Sequence, residues 1–164
     1  MIRELDLAIL EILFDDARTS VERIAVMTGR TKEEVARAID DMEAAGIILK
    51  YPALINWDKL EKESVEALIE VRVTPQRDAG FDAIAERIYR FEEVGSVFLM
   101  SGAYDLMVML KSSSMKQLSF FVAEKLSTIE HVISTATHFI LKKYKSDGVI
   151  FEDDHRDERL VITP

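Results

Sequence analysis

Four residues within one short stretch could donate hydrogen bonds to phosphate oxygens or to base edges. They are Arg30, Thr31, Lys32 and Arg37. Recognition helices meet the DNA groove with their N-terminal turns, where free backbone N–H groups also favour phosphate. We therefore predict duplex DNA binding by this stretch, although the same residues could be no more than solvated surface. Further contacts to the DNA backbone are predicted from basic residues nearby, namely Arg18, Arg23 and Lys50.

The charge of this region opposes that prediction. Residues 1–50 carry 7 bases and 11 acids, a net charge of −4, and the whole chain of 164 residues carries −9. Such a balance argues against a non-specific nucleic-acid binder, which needs a broad basic surface. Helical spacing directs Arg37 away from the apolar stripe, while Asp40, Asp41 and Glu43 fall toward the helix C-terminus. We expect DNA binding that is weak per half-site, sensitive to salt and strengthened by multivalency.

A second candidate site lies in the loop "SGAYD", residues 101–105, between two apolar runs. The structural interpretation makes Gly102 a turn residue with positive φ and lets Asp105 close the turn through its side chain. The functional interpretation has Tyr104 and Asp105 framing a small pocket. There the carboxylate would meet a ligand's ammonium group while turn amides receive the ligand's carboxylate.

Other chemistry is weakly indicated. The three histidines, His131, His138 and His155, are interpreted as surface or structural residues. The acidic run 151–158 could hold a hard cation, but its spacing matches no dedicated metal loop, so a solvated tail is preferred. The chain lacks cysteine, which excludes disulfides and thiolate metal sites. We expect no metal, no cofactor and no catalytic residue.

Composition and length predict a globular protein of one ordinary domain or two small ones. The longest apolar runs, such as residues 106–110, are far too short for a membrane span. Glu4 and Asp6 interrupt the apolar core that a secretory signal would need. A cytoplasmic location is expected.

The first third of the chain predicts three helices. Apolar spacing indicates a helix over 5–14, and a capping box of Thr19 with Glu22 predicts a short second helix from about Val21 to Gly29. Thr31 with Glu34 forms a second capping box that opens a third helix, ending near Gly46. Two short helices joined by a tight turn and braced by a third are typical of a helix-turn-helix, although a three-helix interaction module has the same pattern. Residues 47–57 predict an edge strand interrupted by Pro52.

The second half predicts the order β-α-β-β-α-β, which is ferredoxin-like. Strands are expected over 65–73, 94–100, 106–111 and 131–141, with helices over 78–91 and 115–127. The predicted class is α+β, with a helix-turn-helix (winged-helix-like) domain over 1–52, a linker over 53–63 and a ferredoxin-like domain over 64–146. Residues 147–164 form a C-terminal extension, whose alternation at Leu160 and Ile162 predicts an added strand or else a disordered tail.

Several predicted strands are apolar on both faces, most clearly residues 106–110. Two helices cover only one face of such a sheet, so the other face needs a cover as well. The sheet of a second copy would supply it, and we predict a homodimer through this domain.

The order and spacing of several short motifs resemble the Lrp/AsnC family, also called feast/famine regulatory proteins. The resemblance spans about residues 4–145 and rests on sequence at 5–13, 17–20, 24–25, 46–56 and above all "SGAYD" at 101–105. It implies a transcriptional regulator that dimerises through the ferredoxin-like domain and assembles further into tetramers or octamers. It also implies that a small effector, commonly an amino acid, binds between dimers near this loop. Effector-binding residues carried over are Ser101, Gly102, Tyr104, Asp105, Thr135 and Thr137.

Two alternatives stay open at this point. One is a family member that has lost DNA binding and acts as a metabolite-sensing or partner-binding module. The other is an enzyme resembling the sirohaem decarboxylases, which share this architecture and carry a histidine before a Tyr-Asn pair in the same loop. Here Gly102 and Ala103 precede Tyr104, and Asp105 stands in place of asparagine.

Overall fold

The computed structural model describes residues 2–60, 64–74 and 80–151. The chain divides into two compact units, residues 1–55 and 56–164. Across the described residues, no helix is both long and apolar enough to cross a membrane.

The N-terminal unit contains three helices, α1 (Glu4–Asp15), α2 (Val21–Thr28) and α3 (Lys32–Ala44). Their apolar stripes meet in one small core, made of Ile9, Ile24, Ala25, Val35, Ala38 and Met42. Gly29 ends α2 in the left-handed conformation at φ 64°, which a residue with a Cβ adopts at a cost. This confirms the predicted pair of short helices joined by a glycine turn.

Of the two predicted helix caps, the cap of α3 is confirmed and the cap of α2 lies one residue later than predicted. Thr31 and Glu34 do form a capping box, since the Glu34 amide donates to Thr31 Oγ1 at 3.2 Å and the Thr31 amide donates to Glu34 Oε2 at 2.9 Å. The cap of α2 was placed one residue early, because Ser20 rather than Thr19 accepts from the Arg23 amide, at 3.3 Å. Both residues carry the hydroxyl that a cap requires, so the backbone geometry decides between them.

The strand predicted over residues 47–57 is wrong. Residues 49–56 form no regular element, and Trp57–Lys59 form a single 3₁₀ turn. The segment is instead tethered to α3 by Tyr51, whose hydroxyl donates to Glu43 Oε1 at 2.6 Å. Partial burial and this carboxylate raise the pKa of Tyr51 to about 12. A β-prone sequence forms a strand only where a partner strand accepts its hydrogen bonds, and the described part of this unit contains none.

The C-terminal unit has the predicted β-α-β-β-α-β order. Its elements are β1 (Val65–Val73), α4 (Asp82–Tyr89), β2 (Val94–Leu99), β3 (Leu106–Ser112), α5 (Met115–Phe121) and β4 (Val132–Phe139). The helix α5 continues as a π-helical stretch, Val122–Leu126. The strands form one antiparallel sheet in the order β2-β3-β1-β4, which confirms the ferredoxin-like fold.

One face of this sheet, the helix-covered face, packs on α4 and α5. The central strands contribute the fully buried residues Ala67, Ile69, Val71, Leu106, Val108 and Leu110. Thr135 and Thr137 of β4 are paired with Val71 and Ile69, so both threonines project to this same face.

The opposite face, here called the open face, carries apolar residues that the C-terminal unit leaves uncovered. Met107 pairs with Phe98, and Met109 pairs with Leu68, so these four side chains share that face. Phe98 is 46% exposed. Glu70 and His138 lie on the same face, with a carboxylate oxygen 3.3 Å from the imidazole Nε2. The apolar character of both faces was predicted, and within the described chain only one of them is buried.

A two-stranded hairpin follows the sheet, with β5 (Lys145–Ser146) and β6 (Val149–Ile150). Asp147 and Gly148 both have positive φ, 47° and 81°, as a two-residue hairpin turn of the I′ type requires. The hairpin therefore lies across the boundary predicted at residue 146. The strand predicted around Leu160 and Ile162, together with His155, lies outside the described residues.

Candidate DNA-contacting surface and effector loop

The predicted DNA contacts all lie on the exterior of the N-terminal unit. Arg30 follows the left-handed Gly29 in the turn between α2 and α3, and its amide donates to the Ala25 carbonyl at 3.0 Å. Arg37 is exposed on α3, between the buried Val35 and Ala38. Its guanidinium makes no ion pair with any residue that the structure describes. The remaining basic residues, Arg18, Arg23 and Lys50, are exposed as well.

Thr31 and Lys32 are less available than the arginines. The Thr31 hydroxyl lies 3.2 Å from both the amide and the carboxylate of Glu34 and serves the cap of α3. The Lys32 ammonium forms an ion pair with Glu22 of α2. This ammonium lowers the pKa of the Glu22 carboxyl, and the carboxylate in turn raises the pKa of Lys32.

The structure also shows which groups the acidic side chains of α3 contact. Glu34 is committed to the helix cap, and Glu43 accepts the Tyr51 hydroxyl. Asp41 lies near Arg3, whose pKa is raised by its hydrogen bond to Asp6 and, to a smaller extent, by Asp41. Three of the five acids therefore have interactions inside the unit, but the donors to Glu34 and Glu43 are neutral groups, so these two carboxylates keep their negative charge.

Arg3 and Asp6 fix the start of α1, which braces the helix pair. Asp6 is the buried charged residue of this unit, and its carboxylate accepts the Arg3 amide at 2.9 Å and the guanidinium at 2.8 Å. These bonds hold the pKa of Asp6 below its usual range. The stabilisation is therefore present at neutral pH and is lost as the pH falls through the lowered pKa of the folded state.

The loop 101–105 connects β2 to β3 and is fastened to the end of β1 by Asp105. Asp105 Oδ2 accepts the Val73 amide at 2.9 Å, and the Asp105 amide donates to the Val71 carbonyl at 3.1 Å. The carboxylate was expected to close the loop's own turn, and this expectation is wrong, because it bridges to a neighbouring strand instead. Its second oxygen, Oδ1, makes no hydrogen bond with the described residues.

Gly102 does not have the positive φ that was predicted, so left-handed geometry is not the reason for a glycine at this position. A Cβ built there would meet no atom within 4 Å. The space beside Gly102 is open in the single chain.

The six predicted effector residues do not form one enclosed pocket in a single chain. Tyr104 lies beside Met107, its hydroxyl 4.0 Å from the sulfur, and so adjoins the open face. Thr135 is on the helix-covered face, its hydroxyl 3.2 Å from Ser127 Oγ, and Thr137 is exposed on that face. Ser101 and Gly102 are exposed in the loop. A cavity of about 430 Å³ in this unit lies elsewhere, between the end of β3 and α5.

Two substitutions of Asp105 are expected to separate its structural role from ligand binding. Asp105→Ala removes the acceptor of the buried Val73 amide and should destabilise the C-terminal unit by about 1–3 kcal/mol. Asp105→Asn keeps an oxygen at that position, so its free energy of unfolding should lie within about 1 kcal/mol of that of the wild type. Urea unfolding followed by circular dichroism measures both. Equal losses from the two variants would show that the charge, rather than the hydrogen bond, holds the loop.

Comparison with protein-family models assigns both units. Residues 2–48 match the winged helix-turn-helix DNA-binding model, and residues 66–150 match the Lrp/AsnC ligand binding domain. The chain belongs to the Lrp/AsnC family. An HTH-type transcriptional regulator of Bacillus subtilis, YugG, is 51% identical over 98% of each chain. The proline dehydrogenase transcriptional activator of Rhizobium radiobacter is 26% identical over 88% of this chain and 92% of its own.

Solved structures show the same Lrp/AsnC fold. AsnC of E. coli superposes with a TM-score of 0.68 at 24% identity, covering 89% of this chain and 96% of AsnC. The regulator NMB0573 of Neisseria meningitidis, in complex with L-Met, gives a TM-score of 0.71 at 24% identity, covering 89% and 94%. This Lrp/AsnC protein is therefore a DNA-binding transcriptional regulator with an effector-binding domain, and it is not an enzyme. The decarboxylase-like alternative is thereby set aside.

Sequence reasoning missed the partners of two residues in the DNA-binding unit. Glu22 was assigned only to a helix cap, yet it binds Lys32 of the next helix. Tyr51 was counted only as part of a motif, yet it holds Glu43. In both cases the sequence shows a charged or hydrogen-bonding side chain close to a helix end. It does not specify which other residue that side chain binds.

Proposed function

We propose that this regulator binds operator DNA chiefly through Arg30 and Arg37, with Arg18, Arg23 and Lys50 on the flanking phosphates. The observation that carries the proposal is the exposed guanidinium of Arg37 on the outer surface of α3. Arginine can bind a phosphate or a guanine through two parallel hydrogen bonds. Thr31 and Lys32 remain secondary contacts, because each already has a partner within the unit.

We further propose that the functional particle is a homodimer joined by the open faces of two sheets, from which tetramers or octamers assemble. Leu68, Phe98, Met107 and Met109 supply the apolar surface, and a second copy of the same sheet matches it in shape and period. A dimer presents two DNA-binding units, joined to the ferredoxin-like domain (64–146) by the linker 53–63. Two weak contacts to one duplex then act together.

The effector is proposed to be an amino acid, bound at the loop 101–105. Asp105 Oδ1 is available to an ammonium group, and the open space beside Gly102 allows a ligand or a second copy to approach closely. The family model describes this domain as ligand binding, and the Neisseria neighbour was solved with L-Met. Since one chain leaves the loop unenclosed, a neighbouring copy would complete the pocket, and Ser101, Tyr104, Thr135 and Thr137 would line its two sides.

An electrophoretic mobility shift with the DNA upstream of the protein's own coding sequence tests the regulatory function. Retardation at moderate salt supports it. The absence of retardation at every salt concentration would overturn the proposed binding of this duplex.

Amino-acid binding is expected to raise the melting temperature of the full-length protein. A ligand at 100 times its dissociation constant stabilises the native state by about 2.7 kcal/mol, which is about 5–11 °C for a protein of the length of the whole chain. A thermal-shift screen over the amino acids, beginning with methionine, measures this. Asp105→Asn should fold normally and lose the shift. A shift that persists in this variant would place the effector away from the loop.

A further inference from the structure

The ion pair between Glu22 and Lys32 links the two helices of the DNA-binding motif. Glu22 lies in the first turn of α2, and Lys32 is the first residue of α3. Both side chains remain largely exposed, 60% for Glu22 and 58% for Lys32. The pair is therefore accessible to water and to a ligand, and it does not form part of the buried core.

Lys32 lies between the residues that the proposed DNA contact depends on. It follows Arg30 and the capping Thr31, and it precedes Arg37 by somewhat more than one helical turn. Within the described structure, Lys32 is the predicted DNA contact whose charge is neutralised by another side chain of the same unit. The carboxylate of Glu22 takes one of the three N–H donors of the ammonium and offsets its positive charge, which weakens its attraction for a phosphate oxygen.

We propose that Glu22 sets the operator affinity of this regulator, because its carboxylate competes with a DNA phosphate for the Lys32 ammonium. The inference rests on the proposed DNA contact and deepens it. In the wild type the ammonium is shared between Glu22 and the duplex, so only part of its charge is available to neutralise a phosphate. Glu22 thus lowers the affinity through its effect on Lys32 rather than by touching DNA itself.

The expected size of the effect follows from the weakness of exposed ion pairs. Releasing one such pair should tighten binding by about two- to fivefold for each DNA-binding unit. A freed lysine that neutralises its phosphate completely should also steepen the slope of log K against log salt, by at most about 0.9 per unit.

Fluorescence anisotropy with the full-length protein and a labelled duplex from its own upstream region tests this, over a range of KCl concentrations. Glu22→Gln is the variant, and Glu33→Gln is its matched control. Both remove one negative charge, and the charge of Glu33 also acts on Lys32, although without an ion pair. Lys32→Gln and the double variant complete a thermodynamic cycle.

Glu22→Gln should bind the duplex more tightly than Glu33→Gln and should show the steeper dependence of log K on log salt. When Lys32→Gln is also present, Glu22→Gln should change neither the affinity nor the slope. Glu22→Asp, which retains the charge, should restore the slope of the wild type.

Equal effects of Glu22→Gln and Glu33→Gln would overturn the inference, since long-range charge alone would then explain them. Weaker binding by Glu22→Gln would overturn it too, because Glu22 would then be holding Lys32 in its binding position. A wild type that binds no upstream duplex at about 50 mM salt would overturn the proposed DNA contact and this inference together.

Discussion

Arg37→Glu is expected to weaken operator binding by about two orders of magnitude or more. A specific arginine contact contributes about 1–3 kcal/mol, and a dimer loses two of them while two carboxylates are brought toward a polyanion. The salt slope should become shallower by at most about 1.8, which is the change expected if both arginines neutralise a phosphate rather than bind a base edge. Anisotropy titrations at several salt concentrations measure the affinity and the slope on the same samples.

Arg90→Glu is the matched control for this experiment. Arg90 is exposed at the end of α4, in the C-terminal unit, where it pairs with Glu86. Its replacement changes the net charge by the same amount but leaves the DNA-binding unit intact. Since Arg37 is exposed, its variant should also keep the melting temperature of the wild type. Equal losses of affinity in the two variants would mean that overall charge, not the position of Arg37, governs binding.

Met109→Glu is expected to convert the proposed dimer into monomers at micromolar concentration. Met109 lies on β3, a central strand, beside Leu68 of β1 on the open face. In a two-fold interface each substitution is made twice, and a carboxylate buried there without a partner costs several kcal/mol. The dissociation constant should rise by at least about a thousandfold. Sedimentation velocity over a dilution series measures it.

Tyr89→Glu serves as the control for the dimer experiment. Tyr89 is a large side chain, 57% exposed, on α4, which packs on the other face of the sheet. This variant should sediment like the wild type. If Met109→Glu also stays dimeric, the open face is not the interface. A wild type that is monomeric at every concentration would refute the dimer altogether.

Loss of the dimer should carry over to DNA binding. A monomer presents one DNA-binding unit, so the gain in affinity from two linked contacts disappears. Met109→Glu is therefore expected to bind the duplex weakly even though Arg37 is unchanged. This distinguishes a dimerisation defect from a defect in the contact surface, because Arg37→Glu weakens binding while leaving the oligomer intact.

The amino-acid sequence by itself determined the order and type of the main elements. Apolar residues recurring every three to four positions predicted α1, α2 and α3, and alternation predicted β1. These patterns are reliable because helices and strands that bury one face repeat it at fixed periods. The turn at Gly29 and the capping box of Thr31 with Glu34 were also predictable, since both depend on residues only a few positions apart.

Only the tertiary structure decided which groups meet across the fold. Asp105 binds the Val73 amide, 32 residues away, and Glu22 binds Lys32 of the next helix. The β-prone segment after Gly46 forms no strand, because the described part of the N-terminal unit contains no strand with which it could pair. Local patterns state that a residue is polar or exposed, but the chain topology sets its partner. Consequently the DNA contact of Arg30, Thr31, Lys32 and Arg37 stays a prediction from the sequence, and the structure adds that the two arginines are exposed while the lysine and the threonine have partners within the unit.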